Sequence, residues 1–160
     1  MKPALFVLDT HVLVWFVKGK TRLIGLQALF VLSYPRARIV IPTYVFQEVQ
    51  RKFGPSMDGK NGSMRLPPSA LLRLVCRCSN IRVLSADPQF IACEFRLKRD
   101  IRSNRIPDQD IPIAAALMTS RDVYDGPVAL ISNDGPLVKW AMSAGIPTIW
   151  SQANPKLLPA

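Results

Sequence analysis

Histidine occurs once in this chain, as His11, and cysteine only three times, as Cys76, Cys78 and Cys93. Three cysteines cannot pair completely, and two of them stand one residue apart. A secreted disulfide scaffold does not fit, and a reduced cytosol is the default. One histidine, with no second cysteine pair at finger-like spacing, also argues against zinc. Long hydrophobic runs are missing too. The longest near the N-terminus covers residues 4–17 but is interrupted by Asp9 and His11. It is too short to span a bilayer, and a mid-run Asp is wrong for a signal-peptide core. The sequence therefore predicts a cytoplasmic protein with no membrane segment.

Acidic residues are the other scarcity: 11 Asp and Glu against 21 Lys and Arg in 160 residues, a formal net charge of +10. The excess is uneven. Residues 1–53 and 54–106 each carry +6, whereas residues 107–160 carry −2. Such a balance suits a polyanionic partner, most simply nucleic acid. Because acids are few, their positions are informative. Apolar residues make up 49%, enough for one core in a chain of this length, so disorder is excluded.

Strand and helix signals alternate. A continuous apolar run predicts a strand covered on both faces at 5–8, and shorter strands are expected at 38–41, 81–84 and 128–132, with a fifth at 146–150. Helices are expected over 11–17, 22–33 with Thr21 as cap, 43–53, 69–78, 88 to 101 or 102, about 110–120 and 137–143. Asp87-Pro88 is a strong helix start, and Gly145 a stop. Residues 54–68, dense in Gly, Pro and Ser, read as a loop. The pattern is that of one α/β domain with a parallel sheet of four or five strands flanked by helices. It covers residues 1–150, with a short tail at 151–160.

Ligands of open parallel sheets bind beyond the carboxyl ends of the strands. Two strands here end in an acid at that edge: 5–8 leads to Asp9, and 128–132 leads through Asn133 to Asp134. Either alone is an ordinary cap or turn residue. Glu48 stands on the border of the apolar stripe of helix 43–53, level with Tyr44 and Val45. Of the acids before the next helix, Asp110 shares a face with Ala114 and Leu117, whereas Asp108 falls about 160° away and faces solvent. Pro112 disfavours helix at Ile111, so the helix can begin at Pro112 with Asp110 just outside it, and Asp108 is the reserve.

Asp9, Glu48, Asp110 and Asp134 thus form a candidate set. Without a cation, like charges about 4 Å apart repel by roughly 4 kcal/mol at an effective dielectric of about 20. Mg²⁺ or Mn²⁺ would relieve this, and all-oxygen donors match those ions. A divalent ion beside basic surface points to phosphodiester chemistry. Arg96, Lys98, Arg99, Arg102 and Arg105 precede the acidic pair directly and are the candidate phosphate-binding groups.

The set resembles the PIN-domain ribonucleases, most closely the VapC-like toxins of toxin–antitoxin modules. The resemblance runs from about residue 5 to 150 and is carried by LDTHVLVWFV with Asp9, IPTYVFQEV with Glu48, DIPIAAAL with Asp110, and LISND with Ser132 and Asp134. It implies a PIN-like three-layer α/β/α domain, a Mg²⁺- or Mn²⁺-dependent endoribonuclease site on these acids, a homodimer and a cognate antitoxin. Ser132 matches the family's Ser or Thr two residues before the last acid. Thr10 and Asp108 are further supporting positions, and His11 matches a family residue that is not catalytic. Two other readings compete. One is an inactive nucleic-acid-binding protein of the same fold. The other is a phosphoryl-transfer domain of haloacid-dehalogenase or receiver type, which would want another acid near Asp9, where His11 stands.

Overall fold

The computed structural model describes residues 3–53, 81–104 and 106–151. The loop expected over 54–68, the helix over 69–78, Arg105 and the tail from 152 onward lie outside them. Five strands, β1 (Leu5–Leu8), β2 (Arg38–Pro42), β3 (Ile81–Leu84), β4 (Val128–Ser132) and β5 (Thr148–Trp150), form one sheet in the order β3-β2-β1-β4-β5. Every pairing is parallel, with Leu5 opposite both Arg38 and Val128. The apolar runs have the cause expected of them. β4 is buried along its whole length, and Val7 and Leu8 of β1 are buried beside it.

Six helices flank the sheet among the described residues, completing an α/β/α arrangement. They are α1 (Thr10–Val17), α2 (Leu26–Ser33), α3 (Thr43–Phe53), α4 (Pro88–Asn104), α5 (Ile111–Val123) and α6 (Gly135–Ser143). Helix α5 lies against β1, β2 and β4 and packs on α4, while α1 packs on α3. The face of α5 is continuous apolar surface from Ile111 to Leu117, which seals the centre of the core.

Several boundaries differ from expectation. The helix expected over 22–33 is split: Thr21–Leu23 is a single 3₁₀ turn, Ile24 is extended and buried, and α2 starts only after Gly25. The Gly25 N–H donates to the Ser151 carbonyl at 2.8 Å, so a contact across the fold, not the Thr21 cap, sets that start. Helix α4 runs to Asn104, two to three residues beyond the expected end. Asp87 caps its start as predicted, accepting from the Phe90 N–H at 2.8 Å. Helix α6 begins at Gly135 rather than Leu137, because Pro136 fits its first turn and Asp134 caps it. Gly145 stops it with φ +70, a left-handed conformation that favours glycine. Strand β5 is shorter than expected: Pro147 has no N–H to donate, and the ladder begins at Thr148.

Candidate active site

Asp9 is delivered by β1. Its backbone N–H donates to the Ile131 carbonyl of β4 at 3.1 Å, which fixes it at the carboxyl edge of the sheet. It occupies the N-cap position of α1, but its carboxylate does not cap that helix. Instead, Asp9 Oδ2 accepts from Ser132 Oγ at 2.7 Å. The same Ser132 oxygen accepts from the Asp134 N–H at 2.9 Å, while Asp134 Oδ1 accepts from the Leu137 N–H at 2.9 Å and caps α6. A wholly buried serine therefore holds two acids from two adjacent strands in fixed relation. From the next helix along, Glu48 Oε2 accepts from Thr10 Oγ1 at 2.6 Å, tying α3 to the start of α1.

Asp110 arrives from the far side. It ends a 3₁₀ turn, Asp108–Asp110, and is the N-cap residue of α5, with Ile111 already helical at φ −56, ψ −42 and Pro112 tolerated in the first turn. The helix thus begins one residue before the proline. Asp110 stands just outside it and is 7% exposed, whereas Asp108 is exposed. The burial of the two acids follows the helical-phase expectation.

Asp9, Glu48, Asp110 and Asp134 all border one cavity of about 130 Å³, together with Thr10, His11, Tyr44, Gln109 and Ile113. Tyr44 and Gln109 were not singled out from the sequence. The signal for Tyr44 was its position one turn before Glu48, on the same helix face. His11, matched to a residue outside the chemistry, is on the wall of the cavity and exposed. Arg96, Lys98 and Arg99 are exposed on α4, outside that lining, and Arg96 leans back to Cys93 Sγ at 3.7 Å. The side chains of Arg102 and Arg105 lie outside the described residues.

Burial dominates the electrostatics of Asp110 and Asp9. Burial, then the charges of Asp134, Asp9 and Glu48, push the Asp110 carboxyl up to about 7. Burial likewise raises Asp9 above the ordinary carboxylate range, with Ser132 and His11 pulling the other way. Asp110 Oδ2 is buried with no hydrogen-bond partner among the described residues, a costly state for a carboxylate oxygen. Among the described residues, no three acidic, histidine or cysteine side chains close into a ready-made metal cage. The donor set is nevertheless all oxygen, and an orphaned acid oxygen is the partner a hard cation wants.

Removing the serine tests how the acids are held. Ser132→Ala strands the Asp134 N–H and deprives Asp9 of its strongest support. It should destabilise the fold by about 1–3 kcal/mol, read as a lower midpoint in denaturant unfolding.

Neither a scan of protein-family models nor a search of curated proteins gives a match. Solved structures do. VapBC2 from Rickettsia felis, bound to a DNA fragment from its promoter, aligns with a TM-score of 0.62 at 13% identity, covering 92% of this chain and 99% of that one. DNA-bound VapBC from Salmonella typhimurium gives 0.57 at 20% identity over 93% and 98%, and FitAcB from Neisseria gonorrhoeae 0.55 at 15% over 96% and 99%. The likeness at these identities is one of fold. The chain is an α/β domain with its acids at the carboxyl edge of a parallel sheet. More narrowly, its fold is that of a VapC-like PIN domain.

Proposed function

We propose that this protein is a Mg²⁺- or Mn²⁺-dependent endoribonuclease and the toxin of a toxin–antitoxin pair, working in the cytoplasm. The observation that carries the reading is the buried Asp110 oxygen, without a hydrogen-bond partner among the described residues, on a cavity wall shared with three other acids. Asp9, Glu48, Asp110 and Asp134 would hold the ion. When bound, it supplies a water of lowered pKa and stabilises charge on the phosphoryl oxygens. Ser132 orients Asp9 and Asp134, and Thr10 orients Glu48, so the carboxylates are positioned before a ligand arrives. Arg96, Lys98, Arg99, Arg102 and Arg105 hold the phosphates that flank the scissile bond.

The solved complexes with this fold favour a protein partner as well. Helix α2 presents an apolar face, with Leu26 85% and Phe30 69% exposed and Phe30 stacked on Tyr34, and an antitoxin or a second copy in a homodimer would cover it. No helix among the described residues is long and apolar enough to cross a membrane. The receiver-type alternative is disfavoured by strand order, since receivers use 2-1-3-4-5 and this sheet is β3-β2-β1-β4-β5.

Purified protein should cut labelled single-stranded or structured RNA with Mg²⁺ or Mn²⁺ and stop when a chelator is added. RNA bound tightly but left intact at every metal concentration would favour the inactive nucleic-acid-binding alternative. Replacing Arg99, Arg102 and Arg105 with Ala should weaken RNA binding across unrelated sequences and flatten its salt dependence, while metal-induced stabilisation persists. Unchanged affinity and salt slope would make this segment a solvated face.

A further inference from the structure

The opposite end of the sheet carries a second feature, with the reverse charge. A cavity of about 500 Å³ opens at the amino ends of the strands, lined by Arg36, Arg38, Arg82 and Tyr124 over a floor that includes Leu5 and Val40. The parallel register builds it. Arg38 pairs with Leu5, and Arg82 pairs with Val40, two residues along β2 from Arg38. Side chains alternate along a strand, so Arg38 and Arg82 project from the same face. Arg36 joins them from the turn that enters β2. All three are exposed, and no carboxylate lines the cavity among the described residues.

The aromatic wall is fixed. Tyr124 is the C-cap residue of α5, its hydroxyl donates to the Pro3 carbonyl, and the Arg38 guanidinium lies over its ring at 5.9 Å from the centroid. That contact holds one planar fork in place. Three guanidinium groups around one concavity form a recognition surface for phosphate oxygens, which arginine binds in bidentate fashion. Among the described residues no carboxylate on the cavity wall offsets the repulsion of these like charges, so packing does not require them there.

We propose that this cavity is a second RNA-binding site, gripping the phosphodiester backbone of the substrate strand away from the acids. The identity of the strand rests on the ribonuclease reading. Strands of four or five residues separate the two ends of the sheet by roughly 15 Å, so a strand several nucleotides long can engage both and a dinucleotide cannot. Anchoring remote backbone would raise affinity for longer RNA without touching the reacting phosphate.

The test uses the full-length protein with chelator present, so that nothing is cleaved, and a labelled single-stranded RNA of about 20 nucleotides read by fluorescence anisotropy. Arg36→Glu with Arg82→Glu leaves the Arg38–Tyr124 contact intact. It should weaken binding tenfold or more and lower the salt slope by about 1.4, the share of two single-strand phosphate contacts. Should that double variant lose its melting transition, Arg36→Gln with Arg82→Gln is measured in its place, with the same expectation. Unchanged affinity and slope overturn the proposal. So does a site that binds ATP or inorganic pyrophosphate and loses them in the variant while RNA affinity stays as in wild type, because the cavity would then serve a free nucleotide. Wild-type protein that grips RNA through Arg36 and Arg82 but cleaves none with metal refutes the ribonuclease reading alone. Cleavage by wild type with normal RNA binding by the variant refutes this inference alone.

Discussion

Asp9→Asn is expected to lower RNA cleavage a hundredfold or more at saturating Mg²⁺ while the protein stays folded. A hundredfold is about 2.7 kcal/mol of transition-state stabilisation, modest for a carboxylate proposed as a ligand of a metal ion. The fold should survive because the amide oxygen can still accept from Ser132 Oγ, the contact that fixes Asp9 in the structure. Asp134→Asn should behave alike for a related reason. Asn caps helices about as well as Asp, so the bond from the Leu137 N–H to Oδ1 can persist. In each case the geometry is retained and a negative charge is removed, which separates chemistry from stability. The check is a rate on labelled RNA paired with a melting curve. Full activity in either variant would mean that the acids at the carboxyl edge do not form the site.

What the sequence could say about this fold followed from how local each cause is. Strands β1 and β4 were legible as unbroken apolar runs, whereas β2 and β3 showed shorter apolar stretches, opened by Arg38 or interrupted by Arg82, with turn residues around them as punctuation. The four acids were legible because each sits at an element end or on a helix border, where phase and strand direction are enough to place it. The start of α2 was not legible. Thr21 looks like a cap, but the Ser151 carbonyl, brought back by β5, takes the Gly25 N–H and resets the helix. Pro112 left the register of α5 open, and the 3₁₀ turn at Asp108–Asp110 resolved it by placing Asp110 as cap and Ile111 as first helical residue. The arginine cavity was invisible for the same reason as the Gly25 contact. Arg82 is far in sequence from Arg36 and Arg38, and only the parallel register between β2 and β3 makes it their neighbour.

The metal-free protein should lose stability as pH rises from about 4 to about 7, and Asp110→Asn should remove most of that loss. In the unfolded chain an Asp titrates near 3.8, whereas in the fold burial and three neighbouring acids push Asp110 to about 7. Below the lower value both states are protonated and the group contributes nothing. Between the two values the folded protein keeps a proton that the unfolded chain has released, so rising pH favours unfolding by up to about 1.4 kcal/mol per pH unit. Above the upper value both are ionised and the penalty is constant. Asp9, raised by its own burial, acts in the same direction. A net charge of +10 works the other way at low pH, because protonating exposed carboxylates increases repulsion across the whole molecule. Exposed Asp108 supplies the control: Asp108→Asn changes net charge equally and should leave the pH profile parallel to wild type. Asp110→Asn should instead melt higher than wild type near pH 8 and at about the same temperature near pH 4. Millimolar Mg²⁺ should raise the wild-type melting temperature at pH 8 by favouring the ionised acids, and the Asp110→Asn variant should lose much of that gain. Cleavage should follow the same ranking, with Asp110→Asn far more impaired than Asp108→Asn. Parallel stability profiles for Asp110→Asn and wild type would show that Asp110 is ionised without cost, and that the cavity needs no cation to hold its charge.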